Sequence, residues 1–254
     1  RSVAALWWSA LAAGLTMGLS LMAMGLFRSR LGPSDESHVI ASLGYSAGFL
    51  AVILARQQLF TENTLTAVLP VMSKLTLNNV GRLLRLWGVV LCGNLAGTLL
   101  VAWVMLRLPI FDTQTDLAFL EIGRKVMEND VSKMLAKGIV SGWMIATMVW
   151  MIASMESAKI AIIVMITYLM ALGDFTHIVV GSVEVSYLVY AGEVSWGDFW
   201  LLFAGPTLAG NIIGGSFIFA LISHAQIRSE RDVIAKRERD KHKLLEELRR
   251  NRKD

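Results

Sequence analysis

Four stretches of this chain run without a single charged residue: positions 2–27, 86–106, 138–155 and 199–223, of 26, 21, 18 and 25 residues. A helix rises about 1.5 Å per residue, so roughly 20 residues cross a hydrocarbon layer about 30 Å thick. In lipid every backbone N–H and C=O must be bonded within the protein, and for runs of this length the helix meets that demand. Only 17% of the 254 residues are charged and the mean hydropathy is +0.56, whereas a soluble domain carries about a quarter charged residues. The run at 2–27 is too long for a cleaved signal peptide and lacks a small-residue cleavage site. The sequence opens at Arg1, which leaves room for an N-terminal extension ahead of it.

Two shorter uncharged runs, 39–55 and 160–173, have 17 and 14 residues. Each stops at polar residues and then resumes: Arg56, Gln57 and Gln58 precede an apolar stretch to position 71, and Asp174 to His177 precede Ile178 onward. Each reads as one crossing broken in the middle. Irregular backbone at membrane depth is tolerated only where protein or a water-filled cavity satisfies it, and two such breaks point to a transport site. The expected fold is an all-α membrane protein with six transmembrane helices, the second and fifth broken.

The halves of the chain match each other. "GNLAG" at 93–97 recurs as "GNIIG" at 210–214, 117 residues later, and "LFT" ending at Thr61 has its counterpart in "FTH" ending at His177, 116 residues later. Three helices per half is an odd number, so the halves must enter the membrane from opposite sides. The expectation is two inverted repeats, about 1–107 and 132–225, inside one pore domain at 1–225, with the breaks meeting near the midplane. Glycines four apart (14/18, 44/48, 93/97, 138/142 and 210/214) mark five of the six expected crossings, and such stripes let helix backbones approach closely in lipid.

The fifth crossing lacks that stripe and carries His177. Ionisable residues inside a membrane are functional by default, and an imidazole can offer a proton or a positive charge to an anion that has lost its water. The bland alternative is a histidine that caps the broken helix or bonds Thr61. Glu62 and Asn63 lie in the first break and serve either the path or the freed backbone groups. Asn94 and Asn211 are expected to hydrogen-bond across helices near the breaks. Asp174 and Glu184 are either cavity residues or partners of backbone amides. Cys92 is the only cysteine, so no intrachain disulfide and no cysteine metal cluster is possible; no cofactor, metal or nucleic-acid partner is expected.

The sequence resembles the formate/nitrite transporter family from about position 4 to 223. The resemblance rests on "LFTENTL" in the second crossing, "GNLAGT" in the third, "KGIVSGW" opening the fourth, "DFTH" in the fifth and "GNIIGGS" in the sixth. It implies an aquaporin-like protomer, a homopentamer, and one pore per protomer for a small monovalent anion. Carried over residue by residue, it implies a central gate of Thr61 and His177 with Thr176 beside it, apolar constrictions that include Leu59, Phe60 and Phe175, and Lys125 drawing the anion into the outer vestibule. The chain also departs from the family. Members usually read F-E-H-S-I-A-N where this chain has Phe175, Thr176, His177, Ile178, Val179, Val180 and Gly181, and the usual Cys-Asn of the fourth crossing is Ser141-Gly142.

Charge sets the expected orientation. Positions 228–254 hold 11 basic and 7 acidic residues, which is all of the chain's net charge of +4. By the positive-inside tendency this tail belongs in the cytoplasm, and six crossings then put both termini there, in a bacterial inner membrane. Positions 226–254 read as a charged cytoplasmic helix lying by anionic lipid head groups; Ile227, Ile234 and Leu248 keep heptad spacing, but Lys241 interrupts it. Three other functions compete with the anion channel. A pore for small neutral solutes would normally show paired Asn-Pro-Ala motifs, which the sequence lacks; a membrane enzyme would need more than a lone His177 beside Thr61; a non-conducting sensor or scaffold would fit the altered pore residues.

Overall fold

The computed structural model describes residues 2–32 and 34–220, together with positions 222, 226, 233, 237, 239 and 241. The heptad positions Ile227, Ile234 and Leu248, and most of the charged tail, lie outside the described residues. Among the described residues every regular element is helical.

Helix α1 (Val3–Leu31) opens at Ser2, whose hydroxyl accepts from the Ala5 amide at 3.3 Å. It closes at Gly32, where φ of 75° suits glycine. α2 (Asp35–Ala41) passes through a 3₁₀ turn into α3 (Ser46–Leu54), making one apolar span, Asp35–Leu54. The backbone then leaves the helix, with Arg56 at φ 53°, and re-enters at α4 (Phe60–Thr66) and α5 (Leu69–Ser73). α6 (Leu77–Arg107) completes the first half.

α7 (Thr113–Met127), capped by Asp112, bridges the halves; the hydrophobic runs gave no sign of it, because it is short and amphipathic. α8 (Val131–Ser154) opens the second half. α9 (Lys159–Leu172) and α10 (Ile178–Ala191) have 14 residues each and flank the second break. A last apolar segment, Trp196–Ile218, starts with the short turn α11 (Trp196–Asp198) and contains α12 (Gly205–Ile212) between two stretches of π-helix. The first of these, Phe199–Ala204, precedes Pro206, whose ring would collide with the carbonyl four residues back in an α-helix; the wider turn relieves that collision. Five segments are therefore long and apolar enough to cross a membrane alone, while the fifth expected crossing is divided between α9 and α10.

Close helix packing follows the glycine stripes. α1 lies on α6 so tightly that a Cβ on Gly97 would stand 2.8 Å from the Gly14 Cα, and α8 lies on α12 so that a Cβ on Gly142 would stand 2.8 Å from the Asn211 Cα. Neither distance is available to a real side chain. The outer surface is apolar, with Trp8 66% and Leu201 73% exposed, the inverse of a soluble protein of this size.

Candidate functional site

The two breaks face each other across the middle of the molecule. Thr61, in the first turn of α4, and His177, the residue that caps α10, are both buried, and the Thr61 Oγ1 lies 2.8 Å from the His177 Nε2. The His177 Nδ1 accepts from the amides of Val179 and Val180, each at 3.3 Å. A nitrogen that accepts two N–H groups carries no proton, so the neutral ring bears its proton on Nε2 and donates to Thr61. The threonine hydroxyl then keeps its own hydrogen for another acceptor. A second proton on Nδ1 would set three N–H groups against one another. The ring stands edge-on to Phe49, 5.1 Å between centroids.

Each break is braced by an asparagine from a neighbouring helix, and the two braces correspond. The Asn94 carbonyl accepts the Phe60 amide at 2.8 Å while its NH₂ donates to the carbonyls of Ala10 and Gln58. The Asn211 carbonyl accepts the Ile178 amide at 2.9 Å while its NH₂ donates to Gly138, Ser141 Oγ and the Thr176 carbonyl. In each case one side chain satisfies the first free N–H of the re-entering helix and the carbonyl left free in the break. Asn63 Nδ2 donates to the Leu59 carbonyl at 2.9 Å, and its own carbonyl accepts from the Trp87 indole; it serves the backbone. The Glu62 carboxyl is half-buried and makes no hydrogen bond to a described residue.

The other expected site residues divide. Thr176 turns its hydroxyl to the Met134 carbonyl at 3.1 Å, away from the imidazole, although it borders the same cavity. Leu59 and Phe60 are fully buried, Phe60 edge-on to Trp87, and neither borders that cavity; Phe175 does. The cavity is about 70 Å3, with His177 and Gly181 among its walls and Lys125, Asp174 and Arg28 among its charged lining. That volume holds a few waters or one small ion. Lys125, from α7, pairs with Asp174 at 3.0 Å, and Asp174 holds φ 51°, a left-handed conformation that aspartate tolerates. Arg28 pairs with Glu121 at 3.1 Å. Farther out, Arg124 joins Glu193, and that guanidinium holds the Glu193 carboxyl below its ordinary range.

Sequence reading alone missed two features of the site. Ser141 donates to the Thr176 carbonyl at 2.5 Å and so joins the Asn211 brace; its place opposite a break was the available signal. Arg28 closes the cavity from α1, and nothing in its sequence context distinguishes it from other residues at helix ends. Glu184, left undecided by the sequence, is a cavity residue.

The comparisons with known proteins agree with this architecture. The family model described as formate/nitrite transporter matches residues 1–225. Inner membrane protein YfdC of Escherichia coli (strain K12) is 56% identical over 255 residues, covering all of this chain and 82% of that protein. Formate channel FocA of Haemophilus influenzae is 24% identical over 208 residues, 72% of each chain. Among solved structures, a pentameric formate channel with formate bound superposes with a TM-score of 0.77 at 21% identity, covering 89% of this chain and 97% of that one, which shows the fold. A transmembrane chain with two interrupted crossings, a Thr61–His177 contact between them and this family match over 225 residues belongs to the formate/nitrite transporter family.

Proposed function

We propose that this chain forms a homopentamer in a bacterial inner membrane, with both termini in the cytoplasm, and that each protomer conducts a small monovalent anion of the formate or nitrite class past Thr61 and His177. The observation that carries the reading is the 2.8 Å contact between Thr61 and His177, which links two broken crossings at a point walled by apolar side chains. An anion there has lost most of its water and needs a donor. The neutral imidazole donates to Thr61, and the Thr61 hydroxyl is left to donate to the anion. The N-terminus of α10 opens at the same point and adds a partial positive charge of about half an electron. A passing second proton on the imidazole costs its two amide contacts and adds a full charge to the site, which makes the histidine a gate that opens as pH falls. Lys125, at the cavity mouth, supplies the first attraction.

The apolar exterior supports burial in lipid and against neighbouring protomers, and the pentameric state of the solved formate channel supports five copies. The test is flux into proteoliposomes of purified protein, comparing formate, nitrite, acetate and glycerol. Anion flux that Thr61→Val reduces several-fold supports the reading. Glycerol flux without anion flux replaces it with a pore for neutral solutes, and no flux of any kind leaves a sensor or scaffold.

A further inference from the structure

Between the Lys125 mouth and His177 the cavity wall carries one carboxyl that has no partner among the described residues. Glu184, on α10 two turns beyond His177, is 6% exposed and borders the cavity. Its carboxyl makes no hydrogen bond and no ion pair with any described residue, whereas the two cations on the same wall are both engaged, Lys125 by Asp174 and Arg28 by Glu121. Gly181, one turn earlier, gives the carboxyl its room: a Cβ there would lie 3.9 Å from the Glu184 Oε2 and within 2.8 Å of the Phe203 ring. A buried carboxyl turned into a water-sized space without a partner is costly to keep ionised and is kept only where something else uses it.

The remaining titratable groups facing this space are few. His38, Tyr45 and His177 complete the cavity wall with Lys125, Asp174 and Arg28. Asp116 of α7 is held by the Tyr187 hydroxyl at 3.0 Å. Arg124 and Glu121 of α7, Glu128 directly after it, and the arginines of α6 do not border the cavity, and the segments 199–204 and 205–212 carry no titratable side chain. None of these groups neutralises Glu184.

We infer that Glu184 selects what passes from this cavity to His177: its protonated carboxyl donates a hydrogen bond to a small carboxylate or nitrite ion, and its ionised form turns such ions back. The inference rests on the anion-pathway reading above and deepens it. The carboxyl takes its proton from cavity water, its O–H donates a hydrogen bond to the anion while the anion is in the cavity, and the proton returns to water when the anion leaves. The pathway is thereby selective for acid conditions at a point separate from the histidine.

The experiment has two arms on full-length protein. In proteoliposomes the wild type takes up radiolabelled formate faster at pH 5.5 than at pH 7.5. Glu184→Gln, which keeps the donor and loses the charge, is expected to raise uptake at pH 7.5 about tenfold and to leave only the shallower rise that His177 gives, while eluting at the same size as the parent. In detergent, infrared difference spectra follow the C=O stretch of the protonated carboxyl, assigned by its absence from Glu184→Gln. Added formate, nitrite or acetate is expected to move its titration to higher pH in the wild type. If uptake profiles of the two proteins coincide and the carboxyl titration ignores all three anions, Glu184 is not a selector. Uptake absent from both proteins, with a titration that still responds to anions, refutes conduction and leaves the anion site standing; a titration indifferent to anions refutes the site whatever the flux.

Discussion

Replacing Asn211 by alanine tests the bracing of the second break most directly. The side chain makes four hydrogen bonds, one accepted from the Ile178 amide and three donated to Gly138, Ser141 and Thr176. Interhelical hydrogen bonds in membrane proteins average about 0.6 kcal/mol and reach about 1.7. One of the acceptors keeps another donor, because the single Ser141 hydroxyl hydrogen still reaches the Gly138 or the Thr176 carbonyl. The Ile178 amide keeps none, and a buried donor without a partner costs about 1–3 kcal/mol. The sum is a loss of about 2–4 kcal/mol, which for 150–250 residues corresponds to roughly 5–15 °C in Tm. Thermal unfolding in detergent, followed by tryptophan fluorescence, measures it. Asn94→Ala should lose a comparable amount, since Phe60 and Gln58 stand to Asn94 as Ile178 and Thr176 stand to Asn211. Ser141→Ala should lose under half as much, because Asn211 still serves the Thr176 carbonyl. An unchanged Tm in Asn211→Ala, or a Ser141→Ala loss equal to it, would refute the brace.

Four further outcomes are expected. His177→Phe should make the rise of anion flux toward pH 6 shallower while leaving the oligomer unchanged, and retention of the parent's pH profile would reduce the residue to a helix cap. Gly142→Leu should prevent assembly of the pore, because the Asn211 backbone occupies the space any side chain would need; recovery of a protein that elutes normally from size exclusion would contradict that packing. Removing residues 228–254 should leave the oligomer and the flux intact, as native mass spectrometry and uptake would report. Asp130 caps α8, and hydrogen bonds from the Ser132 hydroxyl and then the Lys133 amide hold its carboxyl below the ordinary range. Because the folded value is depressed, this contribution is complete above the unfolded value of about 3.9 and is lost as pH falls through the folded one. The Tm difference between wild type and Asp130→Asn should therefore shrink between pH 5 and pH 3.

Much of this architecture can be read from the chain because lipid allows so few solutions. An uncharged run of 21 or 26 residues has one stable form, and a polar interruption in an apolar run has to be a break lined by protein or water. The contact of Thr61 with His177 follows from their matching places in the two halves. Harder to read was α7, whose alternating polar and apolar residues resemble any surface helix. Thr176 was placed with the histidine by its neighbourhood, yet its hydroxyl turns to Met134, since adjacent residues at an extended position point to opposite sides. The unbalanced charge of Glu184 depends on which cations are already taken, and only the pairing of Lys125 and Arg28 in space decides that.

The two asparagine braces have a consequence for how such a protein changes over time. Each brace fixes its break through backbone groups, those of Phe60 and Gln58 on one side and of Ile178 and Thr176 on the other. Gly181 and Glu184, which line the cavity, take no part in holding the frame open. Frame and lining can thus vary independently. A lineage can exchange a carboxylate at one lining position for a carboxylate at another and inherit the same scaffold with a different clientele.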